Sequence, residues 1–145
     1  MNIEELPKRL EEEACNPSLY SIGKRDPGGA FCLVYENGMW RIFYSERGLD
    51  DKPLYEGEHE ADACTFFFEF MTQRILHTHL VGYFISAENA GALAKQLEQH
   101  GIATHRNDIP YRGWEDPRFR VFVTGKDVFK VRELLGELPI RDHRD

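Results

Sequence analysis

The sequence predicts an α+β fold: an antiparallel sheet with an N-terminal α-β-β-β-α part, followed by a ferredoxin-like β-α-β-β-α part. Three observations carry this. Residues 30–45 hold two apolar and aromatic runs joined by Asn37-Gly38, the pair that best tolerates the two positive φ angles of a type I′ hairpin turn. Apolar stripes at helical spacing flank the hairpin at residues 3–14 and 58–76. From residue 80 the pattern alternates strand and helix in the order of most of a split β-α-β unit. A length of 145 residues suits one domain whose core needs no staples, read here as a single domain with subparts 1–76 and 79–145.

The first helix is expected over residues 3–14, from the stripe Ile3, Leu6, Leu10, Ala14. Asn2 and Glu5 have capping-box spacing, and Pro7 pushes the regular part toward residue 6 or 7. Leu19–Ile22 reads as a short strand and residues 24–29 as a turn cluster. In the hairpin, the turn sets Glu36 opposite Met39, Tyr35 opposite Trp40, Leu33 opposite Ile42 and Phe31 opposite Tyr44, and the last three pairs, six large apolar or aromatic side chains, share a core face. The other face, Cys32, Val34, Arg41, Phe43 and Ser45, is expected to be half exposed. A third strand is expected at residues 52–57. In the second helix Ala61, Cys64, Phe67, Phe68, Met71 and Ile75 share a stripe. Phe66 and Phe70 fall outside it, either covered by the second half of the chain or forming a contact patch.

The second part predicts strands at 80–86, 102–106 and 118–124 and helices at 87–100 and 127–135, with Gly101 ending the first of these helices. Residues 138–145 add a last strand or form a tail. Between the second and third strands lies a long loop, residues 107–117, holding Tyr111, Arg112 and Trp114. Such loops are often binding elements, and a tryptophan folded back onto its own sheet is the bland alternative.

Charge is unevenly placed. Residues 1–62 hold 14 acids and 7 bases, whereas residues 63–145 hold 11 of each. The stretch from Glu46 to Asp62 carries seven acids against Arg47 and Lys52, a field that repels nucleic acid and anionic lipid and attracts a basic partner. Neither an N-terminal leader pattern nor a long apolar run occurs in these residues, so a cytoplasmic protein with no membrane partner is expected.

Motifs for chemistry are missing. The sequence has no Gly-x-Ser-x-Gly, no Walker-type phosphate loop and no Gly-x-Gly-x-x-Gly. Three cysteines lack Cys-x-x-Cys spacing. His77-Thr78-His79 offers two imidazoles on one strand face but no third ligand at a recognisable spacing. Glu46 with Asp50 or Asp51 lacks the environment that separates two pKa values. A non-enzyme with no metal and no cofactor is expected.

The series LPKRLEEEACNPSLYSIG, AFCLVYENGMWRIFYSERG and EADACTFFFEFM resembles small bacterial immunity proteins of polymorphic toxin systems. The likeness covers roughly residues 6–71. It is carried most by Tyr20-Ser21-Ile22-x-Gly23, by Trp40 and by Glu46-Arg47-Gly48. Some relatives of that kind accompany necrotizing-toxin-type NAD glycohydrolases. The resemblance implies a stoichiometric antitoxin that occludes a cognate toxin domain with a basic surface, as a monomer or a 1:1 heterodimer. The partner-binding residues would be Glu46, Arg47, Asp50, Asp51 and Glu56, with Tyr111 and Trp114 as aromatic anchors. Against a contact role for Glu46-Arg47-Gly48 stands a structural one, in which Arg47 pairs internally and Gly48 supplies a positive φ. An adaptor, or a small-ligand sensor built on the ferredoxin-like half, is the alternative function.

Overall fold

The computed structural model describes residues 1–142. It is an α+β structure with four α-helices and two sheets among the described residues. The chain falls into two compact units, Met1–Leu76 and His77–Asp145.

The first unit runs α1 (Leu6–Glu12), β1 (Tyr20–Ile22), β2 (Ala30–Glu36), β3 (Met39–Glu46), β4 (Leu49–Asp50), β5 (Tyr55–Gly57) and α2 (Glu60–Gln73). Asn2 Oδ1 accepts the amides of Glu4 and Glu5 at 3.0 and 2.9 Å, which is the Asn2 half of the expected capping box, while Glu5, the N-cap residue of the regular helix, makes no side-chain cap bond. With Pro7 in its first turn, regular helix begins at Leu6. The hairpin has the predicted register, from Glu36 opposite Met39 to Phe31 opposite Tyr44. Leu33 and Ile42 meet Leu6, Leu10, Cys64, Phe67 and Met71 in one buried cluster, where each large apolar side chain removed from water contributes about 2 kcal/mol. On α2 it is Ala63, not Ala61, that is buried.

Three expectations are corrected in this unit. The sheet is mixed, because β1 runs parallel to β2. The strand expected at 52–57 shortens to β5, and an unexpected β4 precedes it on the same edge of β3. Between the pairs Ser45–Asp50 and Ile42–Tyr55 the chain spends three steps on β3 and five on its return, and the bend holds Pro53, which has no amide to donate to a ladder. The second hairpin face is buried rather than half exposed, with Ala30, Cys32, Val34 and Phe43 in a cluster at most 4% exposed. The Arg25 guanidinium lies 4.7 Å from the Phe43 ring centroid and covers it.

The second unit runs β6 (Thr78–Phe84), α3 (Ala87–Gln99), β7 (His105–Ile109), β8 (Arg118–Thr124), α4 (Asp127–Leu135) and β9 (Ile140–Arg141), with sheet order β7-β8-β6-β9. Both helices pack on β6 and β8, over buried Val81, Phe84, Val121 and Val123. Two boundaries shift for local reasons. Ser86, expected in a strand, caps α3 by accepting the Asn89 amide. Ile102, expected to open a strand, instead closes α3. Gly101 N donates to Glu98 O and Ile102 N to Leu97 O, each at 3.0 Å, the paired bonds of a Schellman motif. The expected β-α-β-β-α order is present, with β8 between β6 and β7 and antiparallel to both, and only the added β9 departs from the ferredoxin pattern. A plain helical crossover would return the chain parallel to β8, yet β9 pairs parallel to β6, so the chain turns once more after α4 and this sheet is mixed too. Of the expected last strand at 138–145, His143, Arg144 and Asp145 lie outside the described residues.

Candidate functional site

The charged stretch after β3 is a second hairpin. Arg47 and Gly48 sit between Glu46 and Leu49, which face each other in the β3–β4 ladder. Their φ angles are 52° and 78°, against 54° and 78° for Asn37 and Gly38. Both turns have the positive φ pair of type I′. Arg47 pays for this with left-handed strain, offset locally by its amide bond to Pro27 O at 3.0 Å.

A four-charge network braces the hairpin from one face. Arg25 donates through Nε and Nη2 to Asp50, at 3.0 and 2.8 Å to the nearest oxygens. It also donates through Nη1 and Nη2 to Glu36, at 3.1 and 2.9 Å. Arg41 Nη1 reaches Glu36 Oε1 at 3.0 Å, and Ser45 Oγ donates to Asp50 Oδ1 at 2.7 Å. Two cations and two anions cancel, and bidentate geometry makes these the strong kind of ion pair. Hydrogen bonds from Arg25 and then Ser45 hold the Asp50 carboxyl down at about 2. Those from Arg25 also lower Glu36, and Asp50 and Glu36 together raise Arg25 above the ordinary guanidinium value.

Strand alternation sorts the predicted residues. Asp50 and Glu56 share the network face, Glu56 lying opposite Arg41 in the ladder. Asp50 is thus engaged within the chain. Glu46 and Leu49 face the other way, and Asp51 follows them there, its amide donating to Tyr44 O at 2.7 Å. Glu46 and Tyr44 close over Gly29, where an added Cβ would meet Tyr44 Oη at 2.6 Å and Glu46 Oε1 at 3.1 Å. Glu46, Arg47 and Asp51 are exposed and form no ion pair with the described residues. Leu49 at the tip is 75% exposed. Of the predicted residues in this unit, Glu46, Arg47, Asp51 and Glu56 are therefore left exposed, beside the apolar tip of Leu49. The internal partner foreseen for Arg47 belongs to Arg25 instead.

Arg25, Glu36, Arg41 and Ser45 were not singled out from sequence. Glu36, Arg41 and Ser45 could have been, since the hairpin register puts them on one face with opposite charges. Arg25 lies in a turn cluster without periodicity, and only the folded chain delivers it.

In the second unit Tyr111 and Trp114 sit in the β7–β8 loop. Tyr111 is 53% exposed, with the Arg118 guanidinium 4.2 Å and that of Arg112 5.6 Å from its ring centroid. Asp116 pairs with Arg118 at 2.6 Å and fixes that stack. Trp114 is 66% exposed and does not fold back onto its sheet.

Phe66 and Phe70 are held from within their own unit. Tyr55 and Phe31 pack against them at 5.1 and 5.0 Å between ring centroids. Their other side lines a cavity of about 300 Å³. No group of three or more metal-ligating side chains occurs among the described residues. Cys15, Cys32 and Cys64 are buried free thiols, and burial pushes Cys15 up to about 11, away from reactivity. No helix among the described residues is long and apolar enough to cross a membrane. No family model, curated protein or solved structure matches the chain.

Proposed function

We propose that this chain is an immunity protein, an antitoxin that captures a cognate bacterial toxin domain with a basic surface and blocks its active site by occupying the approach to it. NAD glycohydrolases of the necrotizing-toxin type are the toxin class to which the resemblance points. The observation that carries the reading is the braced β3–β4 hairpin, which presents two carboxylates without ion-pair partners among the described residues, Glu46 and Asp51, around the bare side chain of Leu49.

The physical logic runs from charge to rate and from shape to lifetime. The first unit holds all of the chain's net charge of −7, and a field of that sign speeds encounter with a basic protein toward about 10⁸ M⁻¹s⁻¹ at low salt. A hairpin fixed by Arg25 loses little conformational entropy on docking, so more of its contact energy becomes affinity. Leu49 then desolvates against the toxin while the carboxylates meet its cations. A protein acting by occlusion needs rigidity and complementarity and no reacting group of its own.

The test is co-expression. A toxin domain encoded beside this gene should arrest growth when expressed alone and should not when this chain is present, and the two should co-purify at 1:1. Unchanged toxicity in the presence of well-expressed chain would overturn the proposal.

A further inference from the structure

The cavity beside α2 has no role in the site described so far. Its walls are Leu54, Phe66, Glu69, Phe70, Gln73 and Arg74, and its volume of about 300 Å³ is at the low end for ligand pockets, enough for one long side chain. The Phe66 and Phe70 rings are nearly parallel, 7° apart in plane with centroids 6.5 Å apart. Tyr55 and Phe31 fix them from behind, so the floor is pre-formed.

A pattern elsewhere in the chain indicates what is missing there. Three phenylalanine rings carry a guanidinium supplied by the chain itself: Phe43 by Arg25 at 4.7 Å, Phe68 by Arg9 at 5.0 Å and Phe122 by Arg120 at 5.1 Å. Phe66 and Phe70 receive none from the described residues. Between them on the helix stands Glu69, exposed and without an ion pair among the described residues, although Arg74 lines the same cavity. An uncovered aromatic floor beside an unpaired carboxylate is selective for a planar, weakly hydrated cation, which can lie on the rings and bond the carboxylate at once.

We propose that this cavity takes an arginine side chain from an extended segment of the basic protein partner. The guanidinium lies on the Phe66–Phe70 pair and donates to Glu69, the Gln73 amide oxygen offers a further acceptor, and Leu54 packs along the aliphatic stem. Arg74 repels the cation from its end of the cavity and so orients it toward Glu69. The inference rests on the partner reading above and adds to it a residue-level anchor that slows dissociation.

The experiment is an NMR titration of the full chain with the tripeptide acetyl-Gly-Arg-Gly-amide and its Lys, Leu and Glu counterparts. The arginine peptide should move the Phe66 and Phe70 ring signals and the Glu69 amide saturably. Its affinity should exceed that of the leucine and glutamate peptides by about fivefold or more, a difference typical of one exposed cation–π contact with charge assistance. Glu69→Gln should remove most of that preference, and Leu54→Ser should weaken binding of the arginine and leucine peptides alike, both with unchanged melting temperature. Equal binding of the arginine and leucine peptides, or ring signals that stay in place, would overturn the proposal. Arginine-peptide binding together with failed protection in the co-expression assay would count against the antitoxin reading and leave the cavity's preference standing.

Discussion

Two turns in the first unit share one backbone geometry and reach it by different routes. Asn37-Gly38 and Arg47-Gly48 both hold positive φ at both central positions, 54° and 78° against 52° and 78°. In the first, the residues themselves favour the shape, and the long, well-paired β2–β3 ladder follows from it. In the second, arginine disfavours the shape and β4 is two residues long, so the turn is held by its surroundings: the Pro27 carbonyl, Ser45 and above all Arg25. A turn built by sequence is robust by itself. A turn built by bracing depends on distant residues, and it is the braced one that carries the exposed carboxylates.

Removing the brace should have the largest effect. Arg25→Ala leaves Glu36 and Asp50 without their shared cation and uncovers Phe43. We expect a loss of about 2 kcal/mol, allowing for the solvent that reaches these side chains, and backbone amide exchange that quickens at Asp51 while Val34 and Arg41, paired in the β2–β3 ladder, hold their protection. Acid should reproduce part of this in the native chain. Asp50 and Glu36 have folded pKa values below their unfolded ones, so their contribution is complete above about pH 5 and fades as pH falls toward about 2. Thermal melts of the native chain and Arg25→Ala should therefore draw together across that window, and a constant gap down to pH 2 would show that the pair contributes nothing.

Next in size are Gly38→Ala and Gly48→Ala. Neither added Cβ has an atom within 4 Å, so both measure only the cost of positive φ, about 1 kcal/mol each. Chemical denaturation should give similar values, and a much smaller loss at Gly48 would mean that the braced turn is free to change type. The smallest effect distinguishes structure from contact in Glu46-Arg47-Gly48. Arg47→Asn should stabilise by about 0.5 kcal/mol, because asparagine tolerates left-handed φ. Partner capture that survives this change marks Arg47 as a turn residue, and capture that is lost marks it as a contact.

The same contrast explains what the sequence discloses. The Asn37-Gly38 register, the Asn2 cap, β8 and α4 are legible because each is written in neighbouring residues. The end of α3 at Gly101 is also local, and only the following Ile102 misleads, since its apolar character serves the helix terminus rather than a strand. The split return strand is hinted at by Pro53 alone. The buried second face of the hairpin is not legible, because alternation with Arg41 and Ser45 looks polar until Arg25 closes over Phe43. Within the candidate site, Glu46 and Asp51 can be chosen by charge, but Asp50 looks identical to Asp51 in sequence. Only the pleat, which sends the two to opposite faces, separates the engaged carboxylate from the free one. The parallel pairing of β9 depends on an extra turn after α4 that no periodicity announces.

The central claim is that a braced, negatively charged hairpin captures a positively charged protein. Association rates with the co-purified toxin domain, measured against ionic strength for the native chain and for Glu46→Gln/Asp51→Asn, test it most directly. The variant's rate at low salt should drop about tenfold and its salt dependence should flatten. Equal rates at every ionic strength would contradict it.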